Sequence, residues 1–254
     1  MISVAIITKN EEKNILDCLE SVSWADEIVI VDDFSTDLTE QVVKSFKNNK
    51  NIHFYKRRLE NDFSAQRNYA LSKCKYEWIL FIDADERVRD EFREEINTFL
   101  IRERDKSKYN GFNIPRKDVI WGRVLKHGET ASISLLRLAR KDKGKWKGSV
   151  HEVWEVTKPI GEFENYIIHF PHQTVNEFLK EINFYSTIRA KELYNLKKSV
   201  SAWEIIAYPK AKFILNYIFK LGFLDGIEGL VFALMMSFHS FLVRAKLWLL
   251  WTKE

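Results

Sequence analysis

The sequence predicts an α/β protein with a mostly parallel sheet, flanking helices and a C-terminal helical extension. Through the first hundred residues, apolar strand patterns alternate with helical patterns of about 10–12 residues, the order of successive βα units in a doubly wound sheet. Residues 78–82 form an apolar run without alternation, which is typical of a strand buried on both faces. This run ends abruptly in acidic residues.

Four strands are expected in the first 104 residues, each followed by a helical pattern. Their expected positions are residues 2–8, 27–31, 52–55 and 78–82. A helix expected over residues 62–74 carries the tripeptide QRN. We therefore divide residues 1–172 after residue 104, where the regular alternation of strands and helices ends. Residues 173–254 form the helical extension.

Acidic side chains follow the second and fourth expected strands. Asp32 and Asp33 end the second strand, and Asp83 and Asp85 follow residues 78–82. Ligands of open α/β sheets bind beyond the carboxyl ends of the strands. Two carboxylates at a strand tip suit Mg²⁺ or Mn²⁺, which complete their coordination with substrate phosphates. The alternative is a polar strand end before a helix N-terminus, where acidic residues are common.

No glycine-rich phosphate loop follows the first strand. Neither G-x-G-x-x-G nor the P-loop pattern occurs, which argues against dinucleotide dehydrogenases and P-loop NTPases. A nucleotide could instead be held by carboxylates on its ribose and base, a basic residue near its phosphates, and a metal ion. The residues that supply this set are Thr8, Asn10, Glu11, Asp32, Asp33, Arg67 and Asp85.

Composition is that of an ordinary globular protein. The chain has 254 residues, 46% hydrophobic and 30% charged, enough for one large domain or a domain with an appendage. Cys18 and Cys74 lie in helical patterns without metal-ligand spacing, so we expect reduced thiols in a cytoplasmic protein. The N-terminus enters a strand without a basic n-region, and no signal peptide is expected.

Four segments in chain order resemble the motifs of family 2 inverting glycosyltransferases with the GT-A fold. They are VAIITKNE (residues 4–11), VDDFSTD (31–37), QRN (66–68) and DAD (83–85). The resemblance implies a GT-A, Rossmann-like catalytic domain over residues 1–172, with a nucleotide-sugar-binding half (1–104) and an acceptor-side half (105–172). It also implies a nucleotide-sugar-dependent hexosyltransferase that uses a divalent cation.

The same resemblance implies roles for the motif residues near the nucleoside. Thr8, Glu11 and Asp33 would contact the nucleoside of the donor, with Asp32 close to them. Phe34 departs from the pattern, because the family usually has a small or polar residue at that place.

Three further motif residues are implied to lie nearer the diphosphate. Arg67 would lie by the nucleotide and its phosphates. Asp85 would bind the Mg²⁺ or Mn²⁺ ion that bridges the diphosphate, and Asp83 would support the site from the nucleoside side.

The middle segment has strand-like composition over residues 109–120 and 130–140, with glycines marking turns. The segment WKGSVHE (residues 146–152), with short motifs before and after it, resembles the bacterial lipopolysaccharide-core β-glucosyltransferase branch of the family. The residues we place on the acceptor or sugar side are Trp121, His127, Arg137 and His151.

Inverting sugar transfer needs a base for the acceptor hydroxyl and a cation for the leaving diphosphate. Glu152 is the candidate base; the alternative is a surface carboxylate at a strand start. His169 or His172 could add a neutral imidazole to the metal site. A structural histidine with satisfied hydrogen bonds is the alternative for both.

The C-terminal extension is basic and aromatic. From Lys180 onward, 11 Lys/Arg stand against 6 Asp/Glu, which favours an anionic surface such as a membrane or nucleic acid; a solvated basic face is the alternative. Helices are expected from a capping box at residue 174 and over 202–221, where Pro209 should break or kink the second.

The last apolar segment, residues 229–243, is expected to be an interfacial or packed helix. Its 15 residues fall short of the roughly 20 that span a bilayer. Lys246, Trp248 and Trp251 fit membrane-interface anchors, while packing on the catalytic domain or in a homo-oligomer would leave the same pattern.

The resemblance, together with these observations, implies an inverting, metal-assisted transfer of a hexose, with glucose favoured, from a UDP-sugar to a lipid-linked or lipopolysaccharide-core saccharide. The enzyme would act in the cytoplasm, peripherally on the inner face of the cytoplasmic membrane, without nucleic acid. Transfer to a polyprenyl phosphate or a peptide stays open. From another class, a nucleotidyltransferase or an inactive nucleotide-sugar-binding module stays open as well.

Overall fold

The structure, a computed structural model, describes residues 1–46, 51–60, 62–102, 107–131, 133–148, 152–171 and 173–252. The chain forms two compact units, Met1–Arg116 with Ile133–His169, and Lys117–Ser132 with Phe170–Glu254. Residues 117–132, assigned above to the acceptor-side half, therefore group with the C-terminal helices. The functional division of the chain after residue 172 stays a prediction.

A mixed sheet organises the first unit. The strands of the chain are β1 (Ile2–Thr8), β2 (Glu27–Asp32), β3 (Ile52–Lys56), β4 (Trp78–Asp83), β5 (Glu86–Val88), β6 (Gly111–Ile120), β7 (Arg123–Val124), β8 (Ile133–Arg140), β9 (Gly144–Lys147), β10 (Val153–Val156), β11 (Ile160–Glu162) and β12 (Ile167–His169). The sheet order is β3-β2-β1-β4-β8-β6-β12-β5, and β9 and β10 form a separate hairpin. The last four residues of β6 belong to the second unit, where they pair with β7.

The nucleotide-binding half of the sheet is parallel, as predicted. β1 pairs in parallel with both β2 and β4, and β2 pairs in parallel with β3. β8 runs antiparallel beside β4. The predicted α/β fold class is confirmed, and all four strands expected from the sequence lie within one or two residues of their expected bounds.

Burial on both faces explains the uninterrupted apolar run of β4. One face carries Leu80 and Ile82 into a core cluster with α1 (Ile15–Ser21) and α4 (Asp90–Arg102). The opposite face carries Ile79 and Phe81 into a second cluster. A strand covered on both faces has no position at which a polar side chain reaches water.

The second cluster is closed by the β9–β10 hairpin and by α3 (Phe63–Lys73). Trp146 and Trp154 stack with ring centroids 5.3 Å apart, and the ring of Phe81 meets each indole edge-on at 5.0 Å. α3 begins where Asp62 accepts a hydrogen bond from Ala65 N at 2.9 Å, as expected for an N-cap. Helix α2 (Thr39–Ser45) follows β2 in the chain.

Both cysteines are free thiols in the hydrophobic core. Burial raises the pKa of the Cys18 thiol above its ordinary range and that of Cys74 to about 12. Neither thiol is therefore a thiolate nucleophile near neutral pH.

Helices dominate the second unit. They are α5 (Val175–Asn195), α6 (Ala202–Ile214) and α7 (Gly226–Thr252), with a π-helical turn (Leu215–Phe219) and a 3₁₀ turn (Gly222–Asp225) between the last two. The predicted capping box is present at the start of α5, where Thr174 and Glu177 exchange hydrogen bonds. The predicted break at Pro209 is wrong, because α6 continues through it, while a kink there stays a prediction. Ser237 on α7 donates to the Pro209 carbonyl at 2.8 Å.

The length assigned to the last apolar helix was also wrong. The apolar segment 229–243 is part of a 27-residue helix, α7. Residues Gly222–Thr252 are long and apolar enough to cross a membrane by length and composition, with a mean hydropathy of 1.6. One third of that apolar window is buried within the protein, where α7 packs against α5 and α6.

Two of the three expected interfacial anchors pack inside the second unit. Lys246 Nζ donates to the Asn183 carbonyl and to the Ser186 and Thr187 hydroxyls of α5, at 2.6–2.8 Å. Trp251 Nε1 donates to the carbonyl of Lys198 at 2.8 Å. Trp248 stays about half exposed.

Candidate active site

The carboxyl ends of three adjacent parallel strands carry the predicted polar residues. Sheet order places β1 between β2 and β4, and the register aligns Thr8 with Asp32 and Ile7 with Asp83. Thr8 and Asp32 are buried. The strand ends thus bring residues from three distant sequence segments to one edge of the sheet.

Two loops at this edge are tied together by hydrogen bonds. Asn10 adopts a left-handed backbone conformation (φ 55°), which asparagine tolerates better than most residues. Its Oδ1 accepts from Thr36 N, and its backbone N–H donates to Ser35 Oγ, both at 2.8 Å. Asp32 in turn accepts from Ser35 N at 2.8 Å. Asn10 and Asp32 therefore shape the loop after β2.

Asp33 lies at the same edge with a cation beside it. Its carboxylate accepts from Lys9 Nζ at 2.5 Å and from Leu59 N at 2.9 Å. Partial burial alone would raise the pKa of Asp33, but these two hydrogen bonds outweigh it and hold the pKa below its ordinary value. The side chain is thus a carboxylate at neutral pH.

Glu11 and Phe34 occupy the outer part of these loops. Glu11 N donates to Thr39 Oγ1, and the Glu11 carboxylate accepts from Asn14 Nδ2, each at 2.8 Å. Phe34 has a positive φ of 51° and an exposed ring, over which the Arg58 guanidinium lies at 5.0 Å. The bulky residue that departs from the motif therefore points outward.

A buried network of ion pairs surrounds the end of β4. Asp83 Oδ1 accepts from Arg67 Nη2 at 2.9 Å, and its Oδ2 accepts from Arg137 Nη2 at 2.6 Å. Arg137 Nη2 also donates to Glu86 Oε1 at 3.2 Å. Glu86 is fully buried, and its other oxygen accepts from Asp83 N at 2.9 Å. Helix α3 and strand β8 are thereby fixed to the tip of β4.

The two carboxyls of this network have opposite electrostatic environments. Burial would raise the pKa of Asp83, but the guanidinium groups of Arg137 and Arg67 outweigh burial and hold it well below its ordinary range. Glu86 lies deeper, and burial raises its pKa despite the contact with Arg137. The network therefore keeps Asp83 ionised.

Arg67 also joins the network to Glu152. Arg67 Nε donates to Glu152 Oε1 at 2.8 Å, and its guanidinium lies 4.7 Å from the centre of the Trp146 ring. Among the described residues, Arg67 Nη1 and the Nε and Nη1 atoms of Arg137 are buried without a hydrogen-bond partner. Unused guanidinium donors of this kind suit an anionic oxygen of a ligand.

Asp85 and His169 form a second pair at the same strand tip. Their Oδ2 and Nε2 atoms are 3.1 Å apart, and both side chains are partly exposed. Two ligands in adjacent positions of an octahedron with bonds of about 2.1 Å lie about 3.0 Å apart, so the pair fits a small divalent cation. The described part of the chain has no group of three or more His, Cys, Asp or Glu residues that would hold a metal ion without further ligands.

Four predicted residues remain, two of them in the second unit and two outside the described residues. Trp121 and His127 belong to the second unit. The Trp121 ring packs near Phe178, and His127 Nδ1 lies 3.0 Å from Asp225 Oδ1. His151 and His172 fall outside the described residues. The acceptor-side roles of these residues and of Arg137 stay predictions.

Sequence reasoning missed two members of the network. Glu86 follows the DAD motif directly and was given no role, and it lies in a short buried strand. Arg116 Nη1 lies 3.7 Å from Glu86 Oε1. The repeated acidic residues at 83, 85 and 86 were the available signal for Glu86; no comparable signal marked Arg116.

Carboxylates and buried guanidinium donors gather at the carboxyl ends of the parallel strands, in a fold of the GT-A type. The chain belongs to glycosyl transferase family 2, whose profile matches residues 3–154. The expected enzyme class, a nucleotide-sugar-dependent hexosyltransferase, is confirmed.

Two relatives of similar length agree with this assignment, and a solved structure has the same fold. The lipopolysaccharide core biosynthesis glycosyltransferase LpsC of Rhizobium meliloti (strain 1021) is 28% identical over 251 residues, covering 97% of this chain and 92% of LpsC. An uncharacterized glycosyltransferase of Rickettsia typhi is 24% identical over 257 residues, covering 97% of this chain and 86% of the relative. S. aureus TarS 1–349 in complex with UDP has the same fold, with a TM-score of 0.52 and 18% identity over 100% of this chain and 92% of TarS 1–349.

The first prediction concerns the buried network. Replacing Arg137 with Met leaves the Asp83 and Glu86 carboxyls short of a cation, so the free energy of unfolding should fall by roughly 3–5 kcal/mol. The matched control is Lys147→Met on β9, since Lys147 and its partner Glu155 are both exposed and the loss of this pair should cost at most about 1 kcal/mol. Urea denaturation of both variants measures the difference.

Acidification should reduce the difference in the free energy of unfolding between wild type and Arg137→Met. Without Arg137, the folded-state pKa of Asp83 rises, so the folded variant takes up a proton at a higher pH than wild type does. The variant is then stabilised relative to wild type as the pH falls through the carboxyl range. A gap that stays constant or widens on acidification would contradict the assigned ion pairing.

Proposed function

We propose that this enzyme transfers a hexose, with glucose favoured, from a UDP-sugar to a saccharide of a lipopolysaccharide core or another lipid-linked acceptor. The observation that carries the proposal is the arrangement at the end of β4, where the guanidinium groups holding Asp83 lie in the same unit as the Asp85–His169 pair. The name of LpsC supports the acceptor class, and UDP in the TarS structure supports the nucleotide.

The strand ends supply complementary groups for the donor. Thr8, Glu11, Asp32 and Asp33 would face the nucleoside, where carboxylates accept hydrogen bonds from ribose hydroxyls and the base. Asn10 would hold their loops in place through its hydrogen bonds to residues 35 and 36.

Arg67 is the best placed group for the phosphates. Its Nε and Nη2 atoms are used by Glu152 and Asp83, whereas Nη1 has no partner among the described residues. A diphosphate oxygen would satisfy this buried donor, and a guanidinium suits phosphate geometry. Asp83, with both oxygens committed to arginines, would fix Arg67 and face the nucleoside.

Asp85 and His169 would hold Mg²⁺ or Mn²⁺. When bound, the cation neutralises charge on the leaving diphosphate. One carboxylate and one imidazole leave several positions for diphosphate oxygens and water, as Mg²⁺ sites at phosphates require.

Glu152 would accept the proton of the acceptor hydroxyl. Its Oε1 is held by Arg67 Nε, and Oε2 is outside that hydrogen bond. In a direct displacement, the hydroxyl oxygen bonds to the anomeric carbon while the bond from that carbon to the diphosphate oxygen breaks. The hydroxyl proton moves to Glu152 Oε2, and UDP leaves.

The lipid-linked acceptor implies a location at the inner face of the cytoplasmic membrane. Transfer and nucleotidyl chemistry differ in their products, since transfer releases UDP and nucleotidyl transfer releases pyrophosphate. An inactive binding module would bind UDP tightly and release neither product.

The second prediction tests donor and metal together. UDP-glucose with Mn²⁺ should stabilise the wild-type protein by about 2.7 kcal/mol at 100 times its dissociation constant. Asp85→Ala should lose the part of this stabilisation that depends on Mn²⁺, because the diphosphate loses its link to the protein. Thermal-shift and calorimetric titrations with Mn²⁺ or EDTA measure both quantities.

Asp90→Ala is the control, because Asp90 is a largely exposed carboxylate five residues further along the chain. Asp90→Ala should keep the wild-type stabilisation by UDP-glucose and its dependence on Mn²⁺. Equal UDP affinity with Mn²⁺ and with EDTA in wild type and Asp85→Ala would show that Asp85 holds no metal.

The third prediction tests the base. Glu152→Gln keeps the hydrogen bond to Arg67 but removes the proton-accepting carboxylate, so turnover should fall roughly 10²–10⁴-fold. UDP affinity should stay close to wild type. Glu155→Gln is the control, since Glu155 is exposed on β10 and pairs with Lys147.

Steady-state release of UDP and calorimetric UDP binding separate the outcomes. Near-normal turnover in Glu152→Gln would refute its role as base. A large loss of UDP affinity with an unchanged fold would mean that Glu152 positions the donor instead.

A further inference from the structure

The connection between α6 and α7 exposes a concentrated apolar surface. Its large apolar side chains are 42–76% exposed, and we call them the apolar tip: Ile214, Ile218, Phe219, Phe223, Leu224 and Ile227. Single exposed apolar residues are normal on a protein surface, but a cluster of this size marks an interaction site.

The charges around the apolar tip favour an anionic partner. Residues 205–252 contain five Lys or Arg and two acidic residues. Among the basic residues, Lys212 pairs with Glu129 and Lys246 is hydrogen-bonded to α5, whereas Lys210 is exposed.

Both acidic side chains have partners within the protein. Asp225 is buried and accepts from the backbone N–H groups of Lys126 and His127, and Glu228 pairs with Arg123. Lys220, within the tip, is exposed. The tip therefore presents apolar groups and a cation.

Backbone N–H and C=O groups of the turn that carries the apolar tip are hydrogen-bonded within the protein. Lys220 N donates to the Leu215 carbonyl at 2.8 Å, and Leu224 N donates to the Leu221 carbonyl at 2.9 Å. The Lys220 carbonyl accepts from Gly128 N at 2.9 Å. A turn that enters a region of low polarity needs such internal hydrogen bonds, because unsatisfied backbone groups are costly there.

An adjoining groove extends the apolar surface along the two helices. It has a volume of about 370 Å³, and its lining includes Ile206, Leu234, Phe238 and Phe241, with Lys210 at its side. Ile206 and these three α7 residues are themselves exposed. Apolar surface with basic residues beside it is the pattern of an interfacial membrane helix.

We propose that the apolar tip and this groove form the membrane-contact surface of the protein, inserted into the interfacial region of an anionic bilayer. In this arrangement α7 lies along the interface and does not cross the bilayer. Lys246 of α7 is hydrogen-bonded to α5, so an α7 that crossed the bilayer would carry α5 with it. The exposed Glu181, Arg189 and Glu192 of α5 would then lie in hydrocarbon, where charged side chains are costly. The inference rests on the proposed function, which places a lipid-linked acceptor at such a surface.

The test uses the full chain and vesicles of phosphatidylethanolamine and phosphatidylglycerol, with phosphatidylcholine vesicles for comparison. The double substitution Phe219→Glu and Ile227→Glu should weaken co-sedimentation with the anionic vesicles at least about tenfold. Ile101→Glu is the matched control, because Ile101 is an 82% exposed apolar residue on α4. It should bind vesicles like wild type, and all three proteins should bind UDP equally.

A positional probe gives a second readout. A polarity-sensitive dye on Phe219→Cys should shift to shorter wavelength when anionic vesicles are added, and the same dye on Ile101→Cys should not. Cys18 and Cys74 are buried and should not be labelled in the folded chain.

Three results would overturn the proposal. The first is vesicle binding by the double variant that equals that of wild type. The second is a bound protein that resists alkaline carbonate extraction, as a membrane-spanning protein would. The third is a double variant whose only change is from dimer to monomer. The last would make the tip an interface between copies of this chain. UDP binding without vesicle binding would overturn this inference alone, whereas vesicle binding without UDP binding would contradict the proposed function and support the inference.

Discussion

The buried ion-pair network at the end of β4 is the constraint on which the site depends. Burying guanidinium and carboxylate groups is costly, and the cost is offset only when each charge keeps its partners. Arg67 on α3 and Arg137 on β8 both bind Asp83, so helix, strand and sheet edge must take up their positions together. The arrangement that satisfies these buried charges is therefore also the arrangement that positions the candidate site residues.

The same network leaves binding capacity unused. Arg67 bridges Asp83 and the candidate base Glu152, and one of its nitrogens still lacks a partner among the described residues. A ligand phosphate would complete the hydrogen bonding of a group that is already held rigidly. Preorganised charge of this kind needs little rearrangement when the substrate binds.

Most of the parallel half-sheet could be predicted, because buried strands leave continuous apolar runs and their ends collect polar residues. Asp83 and Asp85 were found in this way. The partners of Asp83 could not be, since Arg137 reaches it through the antiparallel pairing of β8 with β4, which no local pattern encodes. The length of α7 was misjudged because Arg244 was taken as the end of the apolar segment. In the structure its guanidinium lies over the Tyr208 ring at 4.1 Å, and the helix continues.

The most direct measurement of the central claim is the activity and UDP affinity of Arg67→Lys. Lysine keeps the positive charge but cannot bind Asp83, Glu152 and a phosphate through separate nitrogens in a fixed plane. If Arg67 organises the site, turnover and UDP affinity should both fall at least about tenfold while the protein stays folded. Wild-type turnover and UDP affinity in a folded Arg67→Lys protein would contradict the account.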